Sequence, residues 1–128
     1  MRHQREGIST GAFILVGALQ FAASGCGRAA CSADYRYGLV VTVIRPSTAT
    51  RICDATVTAT DDGYRETLAV AQTSSDDGGA GCVYQGAGER AGTYTIQVHV
   101  DSSDKVVGGI VVTRDECHVI PRAVTIDP

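Results

Sequence analysis

The sequence predicts an all-β fold: a small seven-stranded antiparallel β-sandwich behind an N-terminal signal segment. Three observations lead there. From Tyr37 onward, short runs rich in β-branched residues recur with period two, clusters of turn residues separate them, and no helical pattern competes. Cysteine usage adds the third, an even set of four beyond Cys26, the mark of an exported domain.

The elements follow in order. Tyr37-Gly38-Leu39-Val40-Val41-Thr42-Val43-Ile44 reads as a first strand, stopped by the turn chemistry of Arg45-Pro46-Ser47-Thr48. Residues 53–60 alternate, with Ala55, Val57 and Ala59 on one face and threonines on the other. Asp61-Asp62-Gly63 signals a hairpin, because glycine accepts the positive φ such turns need. Its partner is expected over 64–70, where Arg65, Glu66 and Leu68 suit an edge strand or a short helix. Residues 72–81, with Ser74-Ser75-Asp76-Asp77-Gly78-Gly79, read as a loop. A short strand at 82–85 and a turn at 86–90 come next. In 93–100, Tyr94, Ile96, Val98 and Val100 face one way and polar residues the other, the pattern of a central strand. Asp101-Ser102-Ser103-Asp104 turns the chain into a sixth strand at 105–113, whose Gly108-Gly109 suggests a bulge or a close backbone approach. The last run, 118–126, contains Pro121, which cannot donate to a ladder and belongs on an edge.

The N-terminus carries an address. A basic start, Met1-Arg2-His3-Gln4-Arg5, precedes an apolar run over 12–23 and then Ala23-Ser24-Gly25-Cys26, the layout of a secretory signal peptide. The run is too short to span a bilayer, which takes roughly 20 apolar residues. Small residues leading into a cysteine resemble the lipobox of bacterial lipoproteins, with Ala23 where that family usually has Leu. The resemblance implies that Cys26 is lipidated, with palmitate-type acyl chains, and becomes the mature N-terminus. Gly27, where inner-membrane-retained lipoproteins carry Asp, implies the outer membrane if the source has one. The expected division is a signal peptide at 1–25, a tether at 26–36 and a sandwich at 37–128, in the cell envelope.

Composition narrows the partners. Removing Arg2, Arg5 and Glu6 from 11 basic and 14 acidic residues leaves 9 and 13, a net charge of −4. A mildly acidic surface does not gather phosphates, so nucleic acid is excluded as an expected partner. The membrane, through lipid on Cys26, and a cell-envelope protein or glycan remain.

The five cysteines are odd in number, but lipid on Cys26 leaves Cys31, Cys53, Cys82 and Cys117. If successive strands run alternately up and down, Cys53 and Cys82 lie at one end of the sandwich and Cys31 and Cys117 at the other. A disulfide needs Cα atoms within roughly 7 Å, while eight strand residues span about 26 Å. Of the three connectivities, only Cys31–Cys117 with Cys53–Cys82 joins like ends.

Ala55-Thr56-Val57-Thr58-Ala59 followed by Asp62-Gly63, and later Ala91-Gly92-Thr93-Tyr94-Thr95-Ile96, resemble the two recurring signatures of carboxypeptidase regulatory-like domains. The resemblance runs from about Tyr37 to Ile126 and implies a transthyretin-like (prealbumin-like) sandwich of general Ig-like build. The Gly-Tyr pair usual after the second signature is missing, since Val100 runs into Asp101. Such domains are typically accessory modules, so the resemblance implies a scaffold and transfers no site.

Other constellations carry less. Asp61-Asp62, Asp76-Asp77 and Asp101 with Asp104 lack the spacing of a calcium loop and suit turns. Cys117-His118 with His99 has the residue types of a zinc site, but His99 sits on a polar strand face and Cys117 has a disulfide partner. Ser102, His118 and Asp115 make a hydrolase set on paper without a nucleophile motif, and Gly78-Gly79-Ala80-Gly81 lacks the Lys-Ser/Thr of a phosphate loop. Arg65, Arg90 and Arg122, with Tyr35, Tyr64 and Tyr84, are scattered over several elements. No catalytic, metal or cofactor-binding residue is therefore assigned. The expected role is a non-catalytic binding or structural module; the alternative is an exported inhibitor or carbohydrate-binding module acting through the loops at 74–81 and 86–90.

Overall fold

A computed structural model describes residues 30–74 and 80–128. The expected signal segment and Cys26 lie outside the described residues.

Period-two patterning becomes nine strands: β1 Tyr37–Val43, β2 Thr56–Asp61, β3 Tyr64–Thr67, β4 Ala69–Ser74, β5 Ala80–Gly88, β6 Gly92–Val100, β7 Ser103–Arg114, β8 Val119–Ile120 and β9 Arg122–Ile126. They form a four-stranded sheet in the order β4-β5-β1-β9 and a five-stranded sheet in the order β3-β2-β6-β7-β8. The inward-facing residues of each strand fill the space between the sheets: Leu39, Val41 and Val43 of β1, Val57 and Ala59 of β2, and Tyr94, Ile96 and Val98 of β6 are fully buried. Burying each large aliphatic side chain stabilises the fold by about 1.5–3 kcal/mol. β6 lies third of five, flanked by β2 and β7, as its pattern indicates.

Nine strands rather than seven arise because two expected strands each change sheet at a single residue. Between β3 and β4, Leu68 drops into the core, 4% exposed, and donates its N–H to Val57 O at 2.8 Å. Between β8 and β9, Pro121 supplies the break, since it has no N–H to continue a ladder. One residue cannot reverse a chain, so the molecule still makes seven passes. With seven alternating passes the first and last run the same way, and β1 indeed pairs with β9 in parallel, Leu39 to Val43 against Arg122 to Ile126. The sandwich is therefore not wholly antiparallel as expected.

Strand limits differ where glycine hid them. β4 and β5 take residues 72–74 and 80–81 of the expected loop at 72–81, and β5 runs through Gly86 to Gly88, so the expected turn at 86–90 starts three residues later. Gly86 opposes Leu39 in the ladder, and a Cβ there would collide with Leu68 and Glu66. The β2–β3 hairpin turns through Asp62 and Gly63, both at positive φ (33° and 83°). Gly108 and Gly109 form a bulge in β7, where the register against β6 shifts between Tyr94 and Ile96 and Gly109 takes a φ of 73°.

One end of the sandwich carries residues 30–36, the turns at 62–63 and 89–91 and the loop at 115–118; it is the Cys31 end. The opposite, Cys53 end carries the 44–55 loop and the Asp101-Ser102 turn.

Candidate functional site

Two disulfides fasten the two ends. Cys31–Cys117 has a Cα separation of 5.2 Å and Cys53–Cys82 one of 5.7 Å. These are the pairs expected from the strand ends, because breaks without reversals leave every cysteine at its end.

Beside Cys117 the backbone closes on itself. Asp115 Oδ1 accepts the N–H groups of Cys117 and His118, each at 2.8 Å, while Asp115 N donates to His118 O at 2.9 Å. The bonds from His118 and then Cys117 hold the Asp115 carboxyl below its ordinary range. This turn points the His118 ring inward, leaving the residue 8% exposed. Nδ1 faces Glu89 Oε1 at 2.9 Å, and Nε2 faces Ser32 O at 3.0 Å and Ser32 Oγ at 3.2 Å. Glu89 Oε1 also accepts Arg36 N–H at 2.8 Å, and Oε2 accepts Val119 N–H at 3.3 Å. Desolvation works against the Glu89 carboxylate, but the bonds from Arg36, His118 and Val119 outweigh it and lower its pKa. Within the expected tether at 26–36, Cys31, Ser32 and Arg36 are held to the domain.

Ser32, His118 and Glu89 stand in the order of nucleophile, base and orienting carboxylate. Glu89 Oε1 and Ser32 O both only accept, so a neutral His118 ring donates to one of them, through Nδ1 or through Nε2 according to its tautomer. The trio is arranged as a clasp joining the N-terminal segment, the β5–β6 turn and the β7–β8 loop. An open hollow of about 450 Å³ lies against it, lined by Ala30, Ser32, Arg36 and 115–118.

The sets expected from sequence are distributed otherwise. His99, near the Cys53 end of β6, bonds Asp104 at 2.9 Å, with the length of β7 between it and His118. Ser102 is likewise at the end opposite Asp115 and His118, so neither the zinc set nor the hydrolase set assembles. Among the described residues no three His, Cys, Asp or Glu side chains converge as metal ligands. Asp62 and Asp101 occupy turns at positive φ, Asp61 pairs with Arg90 at 3.3 Å, and Asp76 and Asp77 lie outside the described residues. Ala80–Gly81 and Gly86–Gly88, from the two expected loops, are part of β5, and residues 75–79 lie outside the described residues.

The tyrosines and arginines separate too. Tyr84 is buried, its hydroxyl donating to Ile52 O at 3.0 Å and accepting from Ala55 N–H at 2.9 Å, and burial raises its pKa. Tyr64 packs edge-on to Tyr94 under the Arg90 guanidinium, 4.4 Å from the ring centre. Burial, then its hydroxyl bond to Glu66, pushes the Tyr64 pKa up to about 12. Arg65 lies on the outer face of the five-stranded sheet, lining a groove of about 250 Å³ with Thr56, Thr58, Gln97, His99 and Asp104. Arg122 opens β9 elsewhere, and Tyr35 stands exposed at the Cys31 end.

No protein-family model, curated protein or solved structure matches the chain.

Proposed function

We propose that the protein is an exported bacterial lipoprotein, lipidated on Cys26 after removal of residues 1–25, whose sandwich serves the cell envelope as a non-catalytic binding or structural module. Cysteine pairing is the observation that supports this best. Cys31, Cys53, Cys82 and Cys117 pair among themselves, leaving Cys26, at the end of the apolar run, as the odd cysteine of an oxidised chain. The likeness of 37–126 to carboxypeptidase regulatory-like domains agrees with a scaffold role. The contacts of His118 with Ser32 and Glu89 join three segments of the chain, which suits a structural role. Gly27 favours the outer membrane where the source has one.

Incorporation of labelled palmitate tests the proposal. The wild-type chain should take up label and partition into detergent, and Cys26→Ser should abolish both. Label retained in the variant refutes lipidation at Cys26.

The alternative is an exported inhibitor or glycan-binding module acting through the loops at 74–81 and 86–90. The groove around Thr58, Arg65 and Gln97 favours its glycan-binding form, since hydroxyls, an amide and a guanidinium suit a polar ligand. Titration with soluble envelope oligosaccharides should shift the β2 and β6 amides; unmoved amides reject it.

A further inference from the structure

Tyr35 is the most exposed of the large apolar side chains among the described residues, at 66%, and Tyr37 follows the same chain outward at 38%. Their rings meet edge to face, with centroids 5.4 Å apart and planes at 86°. Tyr37 opposes Gly88, the last residue of β5, and the Tyr35 hydroxyl closes over the same glycine, where a Cβ would collide. The pair is therefore held in place at the rim of the Cys31 end, with Tyr35 two-thirds exposed, Tyr37 just over a third exposed, and the Tyr35 hydroxyl turned back over Gly88.

Chain length says what can cover them. Cys31 is fixed to the domain through Cys117, and Arg36 through Glu89. Five residue steps separate Cys26 from Cys31, a reach of about 17 Å when fully extended. If Cys26 sits in a bilayer, the Cys31 end cannot leave the neighbourhood of the headgroups, a layer roughly 5–7 Å deep on each side. An aromatic ring with an apolar body and a hydroxyl tip is the side chain that suits such a boundary. Confinement by the anchor also makes a weak contact sufficient, because the second encounter is intramolecular.

Charge identifies the kind of headgroup. Arg36, Arg90 and Arg114 lie at the Cys31 end, but so do Asp34, Asp61, Glu89, Asp115 and Glu116, so no basic patch selects anionic lipid. A zwitterionic surface is enough.

We propose that the Tyr35–Tyr37 pair docks the Cys31 end of the sandwich onto the headgroup layer of the membrane that holds Cys26, a step that rests on the lipoprotein reading above. The strands then stand away from the bilayer. The Cys53 end, with the 44–55 loop and the Asp101-Ser102 turn, is presented about 30 Å further out, the length of nine-residue β6.

The chain contains no tryptophan, so one introduced indole reports alone. The Tyr35→Trp and Tyr37→Trp variants, with Ser47→Trp in the opposite loop as the far-end probe, are made as full chains, matured in cells and reconstituted in phosphatidylcholine vesicles carrying a shallow spin-labelled lipid. Intact mass establishes acylation of each sample. The expected result is that the indoles of Y35W and Y37W are quenched several-fold more than that of S47W, with little change at high salt. Acylated protein with equally weak quenching at all three positions overturns the docking while leaving the lipid anchor standing. Protein without acyl chains overturns the anchor and the docking with it. Indoles shielded in proportion to protein density but indifferent to the lipid quencher identify a second copy as the cover, and overturn the docking too.

Discussion

Replacing Tyr84 by Phe removes one oxygen from the interior and leaves the shape of the core intact. Tyr84 is 2% exposed, and its hydroxyl ties Ile52 O and Ala55 N–H of the 44–55 loop to β5. Losing two ordinary hydrogen bonds costs about 1–3 kcal/mol in total. The Ala55 amide is only partly buried and can take water, whereas the Ile52 carbonyl is buried and is left without a donor. An unsatisfied buried group costs about 1–3 kcal/mol in place of its ordinary bond term, and with about 0.5–1.5 kcal/mol for the Ala55 bond the total is about 1.5–4.5 kcal/mol, centred near 3 kcal/mol. For a domain of this size the urea m-value is about 1 kcal/mol/M, and the midpoint should drop by about 3 M with m unchanged. The loss is a large share of the 5–15 kcal/mol typical of a folded domain. A midpoint within about 0.5 M of wild type at unchanged m would refute the view that this hydroxyl holds the loop.

Other consequences follow from the same geometry. Gly38→Ala places a Cβ 2.8 Å from both Ala87 O and Val112 Cγ1, which should cost about 1–3 kcal/mol in thermal or urea unfolding. Removing Cys31–Cys117, which spans 86 residues, should destabilise by about 4–5 kcal/mol, and removing Cys53–Cys82, which spans 29, by about 3–4 kcal/mol on loop entropy alone; equal losses would show that the clasp at His118 compensates. Glu89 and Asp115 have folded-state pKa values below their unfolded ones, so the stability they contribute is complete above about pH 4.5 and is lost as pH falls through the lowered values. Glu89→Gln should flatten that acid limb in a series of urea midpoints. Tyr64 has the opposite sign: its proton is held more tightly in the folded state, so stability present below pH 10.0 is lost as pH rises toward about 12, and Tyr64→Phe should reduce the alkaline loss.

The inward rows of β2 and β6 were legible because alternation of Val57, Ala59 and of Tyr94, Ile96, Val98 records which face each strand buries. The sheet crossings were not, because Leu68 and Pro121 change sheet within a run whose pattern continues on both sides. β5 was underestimated because Gly81, Gly86 and Gly88 look like loop residues. In the fold they are strand residues whose bare Cα atoms admit the Arg51 side chain, Leu68 and Tyr35. The clasp joins Ser32, Glu89 and His118, up to 86 residues apart, and no local motif marks it. A signal did exist: once Cys31 and Cys117 are paired by strand ends, their neighbours Ser32 and His118 must also meet, and Glu89 lies in the turn at that end. The apparent hydrolase set around Ser102 drew on the same His118 but matched it with a serine at the wrong end of β7.

The most direct test is the intact mass of the protein extracted from membranes, measured before and after reduction. A chain beginning at a triacylated Cys26, lighter by four hydrogens before reduction, is the expected result. A mass without acyl chains, or one in which reduction adds no hydrogens, would contradict the account: the first would detach the domain from the membrane, and the second would remove the two links that fix its ends.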